Sequence, residues 1–132
     1  MDKKYLAQII ATDNEGLQTI SALVSGGKVS VSEIKYLSSN QVFLLSIERN
    51  KIETNEDHKK INSICRFDLI TSVKSKNIDQ KNKKLVLELK AIDYLKNKDD
   101  YEINLIFNNN AHIALTTEVI DIRLDNFDES EK

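Results

Sequence analysis

Hydrophobic and polar residues alternate along most of the chain, and this alternation predicts strands. One segment instead has helical spacing, with four apolar residues on a single stripe: Leu17, Ile20, Leu23 and Val24. Thr12 and Glu15 have the spacing of a capping box before it, and Asp13 is an alternative cap. The glycines at 26–27 supply the positive φ that ends many helices. The sequence therefore predicts one helix, over residues 13–25.

The other apolar segments predict strands separated by polar turns. These strands cover residues 5–11, 29–36, 41–49, 61–76, 84–95, 101–107 and 111–119. The alternation changes phase near Ser32 and Glu33, which indicates a bulge or break there. Residues 50–60 are a polar loop, expected to be mobile. The segment 118–127 is ambiguous, because its apolar residues suit either a short helix or a strand.

The alternation over 61–76 is continuous and assigns its residues to two faces. Cys65, Phe67, Leu69, Thr71 and Val73 share one face, and Ile64, Arg66, Asp68 and Ile70 share the other. Over 84–95 the same reasoning places Ala91 with Leu89 and opposite Ile92. In the strand over 111–119, Val119 continues the apolar face.

Short turns between successive strands favour an antiparallel meander. The expected fold class is α+β: a mostly antiparallel β meander, as a curled sheet or a partly open barrel or roll, with the N-terminal helix packed on it. The 132 residues are expected to form a single domain, 1–132, with a polar tail over 128–132.

Composition excludes several classes of protein. With 40% hydrophobic residues and a formal net charge of −2, the chain is not intrinsically disordered. The single Cys65 rules out a disulfide scaffold. We expect no membrane span, because no apolar stretch approaches the roughly 20 residues required. The N-terminus carries no recognisable secretory signal, so a cytoplasmic location is expected. A pI near 5.7 argues against general nucleic-acid binding.

Metal binding and nucleophilic catalysis have little support in the sequence. His58 and His112 are the only histidines, and neither has a partner at metal-ligand spacing. Cys65 alternates with core-type residues, so we expect a buried, unreactive thiol rather than a Cys–His pair. We therefore expect no metal and no cofactor.

Arg66, Asp68 and Arg123 form the most informative polar set, since the chain has only three arginines. Arg66 and Asp68 lie two residues apart on one strand face. The favoured interpretation is an ion pair on the sheet, with Arg123 or Glu88 as a further member. The functional alternative is a polar pocket in which arginine holds a carboxylate or phosphate.

A basic patch lies within residues 74–84. It consists of Lys74, Lys76, Lys81, Lys83 and Lys84, and the C-terminal tail is acidic. Such asymmetry can steer an anionic partner. A nucleic-acid platform would add aromatic residues for stacking, and none interleaves with these lysines. The favoured interpretation is a solvated hairpin tip.

Three segments together resemble a known family of small bacterial proteins. The helix matches at Asp13, Leu17 and Ser21; a central segment at Phe67, Asp68, Val73, Ser75, Ile78 and Asp79; and the end at Glu118, Ile120, Leu124 and Asp125. The family is a domain of unknown function, found chiefly in alphaproteobacteria, and the resemblance covers nearly the whole chain. Asn108–Asn110 replace the family's glycine-rich turn. The resemblance implies a compact cytosolic bacterial protein and carries over no catalytic residue.

These observations favour a non-enzymatic interaction or structural module, acting on an unknown protein partner or on itself through exposed strand edges. An enzyme or small-ligand binder with a pocket at Arg66 and Asp68 is the alternative. Association with RNA or the ribosome through the lysine hairpin at 74–84 is a weaker one.

Overall fold

The computed structural model describes residues 4–50 and 60–128, and the side chains of 8–49 and 60–127. The loop predicted over 50–60, with His58, and the tail over 128–132 thus lie almost wholly outside the described residues. The described part contains ten strands: β1 Lys4–Ala11, β2 Gly27–Ser30, β3 Lys35–Leu37, β4 Val42–Asn50, β5 Lys60–Phe67, β6 Ile70–Lys76, β7 Val86–Lys96, β8 Tyr101–Phe107, β9 His112–Thr117 and β10 Ile122–Asp128. One α-helix, α1 Asn14–Val24, and a 3₁₀ turn, Val31–Glu33, complete it.

The strands form one open, antiparallel sheet in the order β1-β10-β5-β4-β2-β7-β8-β9-β6, with β3 paired to β4. The α+β class and the antiparallel sheet are therefore confirmed. Two runs of consecutive strands form meanders, β3-β4-β5 and β7-β8-β9. The first and last strands of the chain pair with each other, and β2 lies between β4 and β7.

Asp13 caps the N-terminus of helix α1, and its Oδ1 accepts a hydrogen bond from the Gly16 amide at 2.8 Å. This is the alternative cap, not the Thr12 capping box. The helix buries Leu17, Ile20 and Val24 against the sheet, mainly on β7 and β1. Gly26 follows it with a φ of +86°. The predicted helix and its packing on the sheet are thus confirmed. No helix in the described ranges combines the length and apolar character needed to cross a membrane.

The predicted single strand over 61–76 is wrong, because the chain divides there into β5 and β6. Leu69 adopts a left-handed φ of +60°, which inverts the alternation. Ile70 is fully buried, whereas Leu69 is 49% exposed, the reverse of the expected faces. The Asp68 amide donates to the Asp121 carbonyl at 3.0 Å and fixes the break from the side of β10. β6 consequently leaves β5 and pairs with β9.

Smaller departures from simple alternation occur in two other segments. A bulge in β7 between Leu89 and Ala91 puts Ile92, not Ala91, in the core. Val119 is exposed because β9 ends at Thr117. The ambiguous segment at 118–127 is a strand, β10, from Ile122 onward.

The core lies between the inner sheet face and α1. Phe43 and Phe67, on β4 and β5, meet at its centre with ring centroids 6.0 Å apart.

The 3₁₀ turn accounts for the phase change near Ser32, because it separates β2 from β3. This turn and β3 then lie across a gap from β6, where the sheet stays open.

Candidate functional site

Among the described strands, β6 is the last in the sheet order and pairs with β9 alone, so it forms an edge. Ile70, the first residue of β6, forms two hydrogen bonds across the gap, with Gln41 and Tyr36. The Ile70 amide donates to the Gln41 carbonyl at 2.8 Å, and the Tyr36 hydroxyl donates to the Ile70 carbonyl at 2.9 Å. Within the described ranges, no backbone hydrogen bond crosses this gap from residues 71–76.

A cavity of about 210 Å³ lies in the gap between β6 and the 3₁₀ turn with β3. Its walls are mainly apolar or aromatic: Val31, Ile34, Tyr36, Phe43, Val73, Ile78 and Ile113. Ser75, Gln80 and Lys83 add the polar part of the lining. Gln80 donates to the Ser75 hydroxyl at 2.8 Å. Lys83 is the charged residue of this lining, so a bound group would meet its ammonium group.

The five lysines of the predicted basic patch surround this edge and are all exposed. Lys74 and Lys76 belong to β6, and the other three belong to the turn that leads to β7. Only Lys83 lines the cavity. Among the described side chains, none of the five lies within ion-pair distance of a carboxylate. The Asp79 carboxylate instead accepts the backbone amide of Lys81 at 3.1 Å.

Arg66 and Asp68 lie away from the cavity, on the outer face of the sheet. The Arg66 guanidinium contacts Asp68 Oδ1 at 2.9 Å from Nη2 and donates to it at 3.0 Å from Nε. Arg123 lies directly opposite Arg66 in the β10–β5 register and is exposed. Glu88 is not part of this set, because it pairs with Lys28 and Lys90. The structure thus brings Arg66, Asp68 and Arg123 together without placing them in the cavity at β6.

A buried polar cluster was missed by the sequence reasoning. Arg49 is 5% exposed and donates to Ser63 Oγ at 2.9 Å, to Asn126 Oδ1 at 2.9 Å and to the Leu23 carbonyl at 3.2 Å. A signal was present, because Arg49 continues the alternation of Phe43, Leu45 and Ile47 on the core face. The guanidinium of this β4 residue thus forms hydrogen bonds with the last turn of α1, with β5 and with β10.

The remaining reactive groups offer no catalytic arrangement within the described residues. Burial raises the pKa of the Cys65 thiol, which keeps it protonated and unreactive. His112 Nε2 forms a 2.7 Å hydrogen bond with Asn104 Oδ1. In the ranges 4–50 and 60–128, no three His, Cys, Asp or Glu residues are grouped to hold a metal ion.

Fold and site together define a small α+β domain with an open antiparallel sheet, whose free edge borders an apolar cavity. The chain belongs to the family described as Protein of unknown function (DUF2948), whose model matches residues 7–132. No curated protein and no solved structure matches the chain.

Proposed function

We propose that the protein is a non-catalytic binding module that takes up an extended segment of a partner protein along β6. The observation that carries this proposal is the coincidence of the free β6 edge with the apolar cavity beside it. In an antiparallel pair, alternate residues of an edge strand direct their N–H and C=O groups away from the neighbour. An added strand would pair with those groups, as in other cases of strand addition.

The size and lining of the cavity favour a side chain as its occupant. Its volume of about 210 Å³ is below the roughly 300–1,000 Å³ of sites for drug-sized ligands. A segment added to β6 would direct alternate side chains toward the core side of the sheet. One apolar side chain could then enter the cavity between Val73 and Ile34, which both line it.

The ligand-pocket alternative has less support. Arg66 and Asp68 bind each other, and neither they nor Arg123 line the cavity at β6.

A cytoplasmic location remains part of the proposal. It is supported by Cys65, a free cysteine buried in the core, as is usual for proteins of reducing compartments.

The first prediction concerns Ser75, which is exposed and lines the cavity. Ser75→Phe would fill the cavity without disturbing the core. Heptapeptides selected against the protein from a displayed random library should bind Ser75→Phe at least about tenfold more weakly, roughly 1.4 kcal/mol. Fluorescence anisotropy with the labelled peptides measures the Kd.

The matched control is Ser38→Phe, the same change at an exposed residue of the β3–β4 turn that does not line this cavity. It should leave the Kd within about twofold. N-methylation of alternate peptide amides should also weaken binding, since it removes donors to the edge. Selected peptides that bind Ser75→Phe as well as the unmodified protein would contradict the proposal.

A further inference from the structure

The charge around β6 is opposite in sign to that of the whole protein. Residues 70–85 carry five lysines and one aspartate, a net charge of +4, whereas the whole chain carries −2. The aspartate is Asp79, whose carboxylate accepts the Lys81 amide within the turn. The lysines have no carboxylate within ion-pair distance among the described side chains. This concentration of unneutralised charge lies beside a cavity that is itself apolar.

We infer that the segment bound at β6 is acidic, with one apolar side chain in the cavity and carboxylates beside it that face the lysines. This inference rests on the proposed function. Lys83 lines the cavity, so its ammonium group would face a carboxylate two residues from the apolar side chain, on the same face of the added strand. Lys74 and Lys76 lie on β6 itself, where an added strand would run beside them.

A peptide fits this site better than a nucleic acid does. Single-stranded nucleic acids are held by aromatic side chains on which bases stack, in addition to cations. Residues 70–85 include no aromatic residue. The aromatic rings beside them belong to Phe43, which is buried, and Tyr36, which is half-buried with its hydroxyl bonded to Ile70. These rings form the wall of a cavity rather than an exposed platform.

The test compares two labelled heptapeptides with a central leucine, one flanked by glutamates and the other by glutamines at the same positions. At low salt we expect the glutamate peptide to bind at least about tenfold more tightly. The difference should shrink at 1 M salt, where the Debye length falls to about 3 Å. Replacing Lys74, Lys76 and Lys83 by glutamine together should remove most of it.

The matched control replaces three other exposed lysines, Lys90, Lys96 and Lys98, by glutamine, which removes the same charge away from the cavity. It should keep the preference for glutamate. If both peptides bind the unmodified protein equally well and both lose binding in Ser75→Phe, the inference is overturned while the proposed function stays intact. If neither peptide shows binding that depends on Ser75, both fail. Tighter binding of a ten-nucleotide oligouridine, in competition with the glutamate peptide, would overturn the inference in favour of a nucleic acid.

Discussion

Arg49 places a guanidinium inside the sheet, where an unpaired charge would be very costly. Three of its hydrogen bonds, those to described residues, reach a hydroxyl, a side-chain amide and the Leu23 carbonyl near the end of α1. The Ser63 hydroxyl in turn donates to Asn126 Oδ1. Because each group satisfies another, removing the arginine would leave several buried polar atoms without their partner.

We therefore expect Arg49→Met to lower the free energy of unfolding by about 2–3 kcal/mol, since hydrogen bonds to charged groups contribute about 1.5–3 kcal/mol. Urea unfolding followed by circular dichroism measures the change. Arg123→Met is the matched control, because Arg123 is exposed on the outer face of the sheet, where substitutions usually change stability by no more than about 0.5 kcal/mol. Equal losses in the two variants would show that the buried cluster has no special role.

At the scale of elements, the break between β5 and β6 decides where the site lies. Leu69 adopts a conformation that costs a non-glycine residue about 1–2 kcal/mol. Surrounding contacts hold it there: Ile70 donates to Gln41, and the Thr117 hydroxyl donates to the Leu69 carbonyl at 2.8 Å. The fold thus imposes a left-handed conformation on a leucine, where glycine or asparagine would be usual.

Leu69→Gly should therefore stabilise the protein, by up to about 1 kcal/mol, once the greater freedom of glycine in the unfolded chain is subtracted. Leu95→Gly is the matched control, an equally exposed leucine in β7 without a positive φ, and it should lose about 1 kcal/mol. Urea midpoints of both variants test this. A loss at Leu69 as large as at Leu95 would mean that the left-handed conformation is not strained.

The same break shows which features of the fold the sequence could predict and which it could not. Periodicity was sufficient for α1 and most strands, because burial on one face repeats locally. It could not reveal the division at Leu69, since contacts with residues distant in the chain, including Gln41, Thr117 and Asp121, impose it. The basic patch was visible as a run of lysines. The cavity beside it was not, because its walls come from residues far apart in the chain that meet only in the folded sheet.

At the scale of the whole molecule, the open sheet leaves edges that could pair between copies of the chain. Two copies joined along β6 would bring Lys74 and Lys76 of one copy beside those of the other. Like charges on adjacent strands are destabilising, and lysines are a common means of blocking exposed edges. The lysines beside β6 would therefore act against self-association while attracting an acidic segment.

We accordingly expect a mass near 15.1 kDa by light scattering at low salt. Screening at 1 M salt weakens the repulsion between the lysines, so any dimer should form there first and be favoured by the Lys74, Lys76 and Lys83 to glutamine variant. The acidic heptapeptide should prevent such a dimer, because both would occupy the same edge. A mass of twice 15.1 kDa at low salt, unaffected by the peptide, would mean that the chain associates through another surface and that charge at β6 does not control its assembly.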